Sequence, residues 1–162
     1  QRVPDTSPTA VKPGYGNTDG QVVQGVELDV KGDLVAQKLT HKLNLSVKTG
    51  ENSADDSDID FLDTLTANYM LSLLTGCMTN SLSVNYIGER EGDQGGSSKT
   101  VDAYALLNLK TTCEINEDLS LSITVINILG QDVAYPEIVS GYLPELPGDS
   151  GTNVYGKLSY KF

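Results

Sequence analysis

Apolar and polar residues alternate with a period of two along most of this chain. From Leu119 the apolar positions are Leu119, Leu121, Ile123 and Val125, with Ser120, Ser122 and Thr124 between them. The same alternation closes the chain, where Val154, Gly156, Leu158, Tyr160 and Phe162 oppose Tyr155, Lys157, Ser159 and Lys161. Upstream, Val26, Leu28 and Val30 oppose Glu27, Asp29 and Lys31, and Leu43, Leu45 and Val47 oppose Lys42, Asn44, Ser46 and Lys48. Successive side chains of a strand point to opposite faces, so this period predicts strands with one apolar and one polar face. Seven are predicted, over about Val22–Lys31, His41–Thr49, Leu65–Leu74, Asn80–Gly88, Asp102–Ile115, Leu119–Val125 and Val154–Phe162. Residues 1–20, rich in Pro, Gly and Thr, read as an irregular lead-in, and 21–162 as the β unit.

The strands are long, most of about 9–12 residues against a usual 5–6. Ten residues at roughly 3.3 Å each, tilted by about 40°, rise roughly 25 Å, the height of an outer-membrane apolar band. Short turns are predicted near 32–40, 76–79 and 116–118, and long polar loops near 50–63, 89–101 and 129–152. In an up-and-down order the short turns share one end and the long loops the other, as in transmembrane β-barrels. The expected class is therefore all-β, an antiparallel up-and-down barrel segment of about seven strands. A soluble or small self-closed β-rich module is the alternative.

Composition sharpens this picture. Hydrophobic residues are 38% of 162, with no Trp and two Phe, which is little material for the dry core of a sandwich. A net charge of −11 excludes nucleic acid as a partner, because phosphate contacts need Lys and Arg. No apolar run approaches a membrane helix, and the opening Gln1-Arg2-Val3-Pro4 has neither start Met nor signal peptide. The chain is thus expected to be processed or cut from something longer. With one His, no nucleophile set and no phosphate loop, it is not expected to be an enzyme. His41, in a polar setting beside Lys42, reads as a solvated residue.

Several short segments carry a resemblance. These are Gly25-Val26-Glu27-Leu28, Tyr86-Ile87-Gly88-Glu89-Arg90, Asn127 to Tyr135, and the last strand from Gly151 to Phe162. Together they resemble the C-terminal part of the barrel of TonB-dependent outer-membrane receptors. The chain departs from that pattern at Thr152, where the family usually has Arg, and at Leu129-Gly130, where it has Phe-Asp. The resemblance implies a bacterial outer-membrane location and a part in uptake of a siderophore, cobalamin, glycan or similar nutrient. It implies as partners outer-membrane lipid, the rest of a barrel with its plug (or other chains edge to edge), the barrel-assembly machinery, and the TonB system through an N-terminal part outside this chain. Large transporters of this kind have about 22 strands, so seven are not sufficient for transport alone.

Candidate sites follow from these readings. The polar strand faces would line a lumen, with Glu27, Asp29, Lys31, Lys42, Lys48, Asn108 and Lys110 as candidates. Asp55, Asp56, Asp58 and Asp60 are a weak Ca²⁺ candidate, because hard cations take several oxygens. Phe61 stands where an EF-hand needs Gly, so a solvated acidic loop is the competing reading; no other cofactor is expected. Cys77 and Cys113 have no metal-ligand spacing. Folding the hairpin about Gly95 sets 77 opposite 113 at the short-turn end, where an oxidising periplasm would pair them as a disulfide; two free thiols is the alternative. By resemblance, Tyr160 and Phe162 belong to the signal read during barrel assembly.

Overall fold

The computed structural model describes residues 20–93, 98–137, 141–143 and 151–162. The expected lead-in, apart from Gly20, lies outside them. Eleven strands form among the described residues: β1 Gln21–Val35, β2 Leu39–Asn52, β3 Leu65–Thr75, β4 Met78–Ile87, β5 Arg90–Asp93, β6 Ser98–Val101, β7 Tyr104–Glu114, β8 Leu119–Ile126, β9 Tyr135–Glu137, β10 Gly141–Leu143 and β11 Asn153–Tyr160. Seven of them make one antiparallel sheet in the order β1-β2-β3-β4-β7-β8-β11. The other four are two small hairpins, β5/β6 and β9/β10, inside the second and third long connections. Among the described residues there is no helix.

All seven expected strands are present, and the differences lie at their ends. Within the expected 32–40 stretch, Gly32 stays in the ladder opposite His41 and the chain turns at 36–38. There Gln37 takes a left-handed φ of 56°, and the register shifts between Asp33 and Val35. The second turn is tighter than expected, only Gly76–Cys77, with Thr75 paired to Met78. Positive φ at Gly76 alone is the II′ pattern, whose twist matches the flanking strands. In the third turn the Asn116 side-chain oxygen accepts from the backbone N–H groups of Asp118 and Leu119, replacing ladder bonds. The last ladder stops at Tyr160, because its partner β8 begins at Leu119; Lys161 N–H then bonds to Asp118 O.

The sheet has no apolar core of its own. Among the described residues the buried hydrophobic side chains, Val101, Tyr104 and Val133, all lie at the long-loop end. Val26, Val154 and Leu158 are instead 75%, 67% and 69% exposed on the apolar face. In water such a face is a liability; against hydrocarbon it is the matched surface. The edges β1 and β11 are not paired with each other, so the described sheet is an open barrel wall.

Candidate functional site

Register decides which side chains share the polar face, because residues directly opposite in an antiparallel pair point the same way. Glu27, Asp29 and Lys31 oppose Ser46, Asn44 and Lys42, and Lys48 opposes Gly25. Asn44 and Lys42 oppose Asn68 and Met70, which oppose Asn85 and Ser83. Ser83 and Ser81 oppose Asn108 and Lys110, and Lys110 opposes Thr124. All seven candidates therefore fall on one face. Lys31 and Lys42 face each other as like charges, a local cost.

On that face the structure shows a feature the sequence reading did not single out. Asn44 Nδ2 donates to Asp29 Oδ1 at 3.1 Å, and Asn68, directly opposite Asn44, accepts from Asn85 Nδ2 at 2.6 Å. Asn108 Nδ2 donates to Asn85 Oδ1 at 2.9 Å, and Asn108 Oδ1 accepts from Asn127 N–H at 2.9 Å. A row of amides thus crosses the sheet and climbs from mid-strand to the long-loop rim. Each amide can donate and accept at once, so the row satisfies itself while leaving further polar atoms for a partner. Beside it lies an open depression of about 410 Å³ bordered by Asp29, Lys42, Asn44, Asn68, Met70, Ser83 and Asn85. The clue was in the sequence: Asn44, Asn68, Asn85 and Asn108 all occupy polar-face positions, but only the register puts them in a row.

The rim is held by two buried polar residues. Asn127, 1% exposed with φ 54°, donates to Gln131 O at 2.8 Å and accepts from Gln131 N–H at 2.9 Å. Gly130 takes φ 61° in the same turn, which gives a physical reason for a Gly at this position. Thr152, at the other departure, donates its hydroxyl to Asn127 O at 2.9 Å and ties the entry of β11 to the end of β8. Arg90, 5% exposed, donates from Nη2 to Ala134 O at 3.0 Å and places Nη1 3.7 Å from Asp63 Oδ1. Its Cζ lies 5.8 Å from the Tyr104 ring centroid.

The remaining sequence candidates separate. In the acidic loop Asp55 Oδ1 accepts from the Ser57 hydroxyl at 2.7 Å and the Ser57 N–H at 3.1 Å, and these bonds hold its carboxyl below the ordinary carboxylate value. Asp56 turns the chain with φ 56°, and Asp58 forms a backbone bridge to Glu51. Among the described residues no three His, Cys, Asp or Glu side chains gather where they could hold a metal ion. Cys113 pairs with Met78 rather than Cys77. Every pair from Met78↔Cys113 to Asp93↔Ser98 keeps one register, so the hairpin axis falls half a residue beyond Gly95. The Cys77 and Cys113 Sγ atoms nevertheless lie 2.6 Å apart. Tyr160 and Phe162 form an edge-to-face pair with centroids 5.1 Å apart, both exposed. His41 is not in a polar setting: it lies on the apolar face, 6.2 Å between ring centroids from Tyr69.

Charge is divided between the two ends. The connections 53–64, 88–103 and 127–152 contain thirteen Asp and Glu against Arg90 and Lys99, so the whole net charge of −11 belongs to the long loops. Such a field repels polyanions.

A family model described as TonB dependent receptor-like, beta-barrel, matches residues 1–128. Among solved structures, a mutant of the ferric enterobactin receptor PfeA of Pseudomonas aeruginosa superposes with a TM-score of 0.68 at 21% identity, over 88% of this chain and 22% of that one. The ferric-catecholate import receptor Fiu of Escherichia coli K12 gives 0.69 at 15% identity, over 94% and 23%. The ferric yersiniabactin uptake receptor FyuA of Yersinia pestis gives 0.63 at 20%, over 86% and 23%. The chain spans less than a quarter of the length of these structures, and identities this low speak for the fold alone. Compared with curated protein sequences, the chain has no match.

Proposed function

Because the chain belongs to the TonB-dependent receptor β-barrel family, we propose that its sheet is one sector of an uptake receptor's wall, turned so that the asparagine row lines the lumen. The family is one of outer-membrane transporters of Gram-negative bacteria, not of enzymes, and the sheet is accordingly an outer-membrane barrel wall. The observation that carries the orientation is the division of the sheet. One face is a row of amides beside an open depression, and the other exposes Val26, Val154 and Leu158.

The cargo in this reading is a ferric siderophore or a comparable nutrient complex such as cobalamin or a glycan. Support comes from the relatives, whose names specify ferric enterobactin, ferric-catecholate and ferric yersiniabactin uptake. The sector does not transport alone. Among the described residues its β1 and β11 edges carry unpaired backbone groups, each worth several kcal/mol in hydrocarbon, so further strands must close the wall. A plug fills the closed lumen against the amide row, and a segment outside the sheet engages TonB. The barrel-assembly machinery reads the closing strand through Tyr160 and Phe162; Phe162→Ala is expected to lower outer-membrane levels at unchanged synthesis, and normal levels would remove that role.

The test of the main reading is iron-chelate uptake by cells carrying Asn85→Leu with Asn108→Leu in the native protein. Uptake is expected to fall at least about tenfold at equal surface level, since each variant strips amide contacts of roughly 1 kcal/mol from the lumen wall. Uptake unchanged at equal surface level would mean that the row does not line the passage.

A further inference from the structure

Cys77 and Cys113 are brought together by two independent elements. Cys77 is the second residue of the turn that joins β3 to β4, and Cys113 is the penultimate residue of β7. Glu114 N–H donates to Cys77 O at 3.0 Å, which draws the turn onto the end of β7. The Sγ atoms then meet at 2.6 Å, closer than unbonded sulfurs rest and near the roughly 2.05 Å of an S–S bond. Cys77 is exposed and Cys113 half-buried, so an oxidant can reach the pair. A shared metal ion fits less well: thiolate–metal bonds of about 2.3 Å would meet at far below the tetrahedral angle, and among the described residues no third ligand of the usual types is near.

We propose that Cys77 and Cys113 form a disulfide that staples the β3–β4 turn to the end of β7 at the periplasmic rim. The proposal rests on the outer-membrane reading, which places the short turns in an oxidising compartment. The co-reactant is the disulfide of a periplasmic thiol oxidant. The exposed Cys77 thiolate attacks one sulfur of that disulfide, forming a mixed disulfide and releasing the other sulfur as a thiolate. The Cys113 thiolate then attacks Cys77 Sγ, the S–S bond of the chain forms, and the second oxidant sulfur leaves. The chain loses two electrons and two protons, and the oxidant leaves as a dithiol.

The staple has a consequence for register. A one-residue slip of β4 against β7 would turn Cys113 to the polar face, away from Cys77, and reverse every side chain of the strand. The bond therefore fixes the pairing in which Asn85 meets Asn108.

The test is alkylation of the unreduced native protein under denaturing conditions, followed by peptide mass spectrometry. The expected result is a Cys77–Cys113 linked peptide with neither residue alkylated, and two alkylated cysteines after reduction. Cys77→Ser is expected to abolish the linked peptide and leave Cys113 alkylated. Two alkylated cysteines in protein recovered from the outer membrane would overturn the disulfide alone. The same result in protein recovered from a soluble fraction would overturn both the disulfide and the outer-membrane reading. A bond from either residue to a cysteine elsewhere would overturn the assignment.

Discussion

Replacing Arg90 with alanine is expected to release the three long connections from one another while leaving the strand ladder in place. Arg90 is the one side chain that reaches from 88–103 both to Ala134 in 127–152 and to Asp63 in 53–64 among the described contacts. A hydrogen bond from a charged donor contributes about 1.5–3 kcal/mol, and the position over Tyr104 roughly another 0.5–2 kcal/mol. The Asp63 pair adds little, because it is 3.7 Å long and the Asp63 side chain is 39% exposed. Asp63 regains water when Arg90 is removed, so the usual penalty for a stranded buried charge does not apply. The loss is then about 2–5 kcal/mol or, near the middle of that range, at least on the order of a hundredfold more frequent opening of the rim. Hydrogen exchange of the native protein in detergent reads this directly. The Phe61 N–H, bonded to Glu91 O at 2.7 Å, and the β5/β6 pairs should lose protection by that factor, while β3, β4 and β7 keep theirs. Arg90→Lys keeps the charge but not the fork and should fall between. Unchanged exchange at Phe61, or an equal loss throughout the ladder, would refute the view of Arg90 as a rim clamp.

Three further outcomes follow from local geometry. Asn127→Ala removes both Gln131 bonds and leaves at φ 54° a β-carbon without the local side-chain bonds that let Asn hold it, for a loss of about 2–4 kcal/mol in a denaturant titration, whereas Asn127→Gly, with no β-carbon, should lose about 1 kcal/mol less; equal losses would remove the backbone contribution. Gly25→Ala places a carbon 2.7 Å from Lys48 Cβ and from Val47 O and should destabilise by about 1–3 kcal/mol, whereas Gly156→Ala meets nothing within 4 Å and should stay within about 0.5 kcal/mol; the reverse order in thermal unfolding would contradict the packing. The lowered Asp55 carboxyl contributes to its turn above the ordinary value of 3.8, and that contribution is lost as pH falls through the lower folded value; Ser57 amide protection should follow this course, and protection that is already lost above 3.8 would give the shift the wrong sign.

The ladder was legible from alternation because the period-two pattern survives wherever one face meets hydrocarbon and the other water. Its ends were less so: Gly32 looks like a turn residue, but opposite His41 it needs no positive φ, and the turn was carried by Gln37. The seven lumen candidates share a face as expected from parity along each strand. The asparagine row was not legible, because Asn44 and Asn108 are 64 positions apart and only pairing through β3 and β4 aligns them. Arg90 stood in the sequence as the end of a motif, and its partners Asp63, Tyr104 and Ala134 come from separate connections that no local pattern links. The glycine of the Gly25 motif acquires a reason only from the closeness of Lys48.

The central claim, a wall with lipid on one face and lumen on the other, is tested most directly by scanning β8 with single cysteines. In the native protein carrying Cys77→Ser and Cys113→Ser, each position from Ser120 to Val125 is replaced by cysteine in turn and labelled with an environment-sensitive fluorophore. The proteins are then reconstituted in vesicles, and quenching by a nitroxide lipid is compared with quenching by a water-soluble agent. The wall predicts lipid quenching at Leu121→Cys, Ile123→Cys and Val125→Cys, and aqueous quenching at Ser120→Cys, Ser122→Cys and Thr124→Cys. Quenching that does not alternate, or that alternates in the opposite phase, would contradict it.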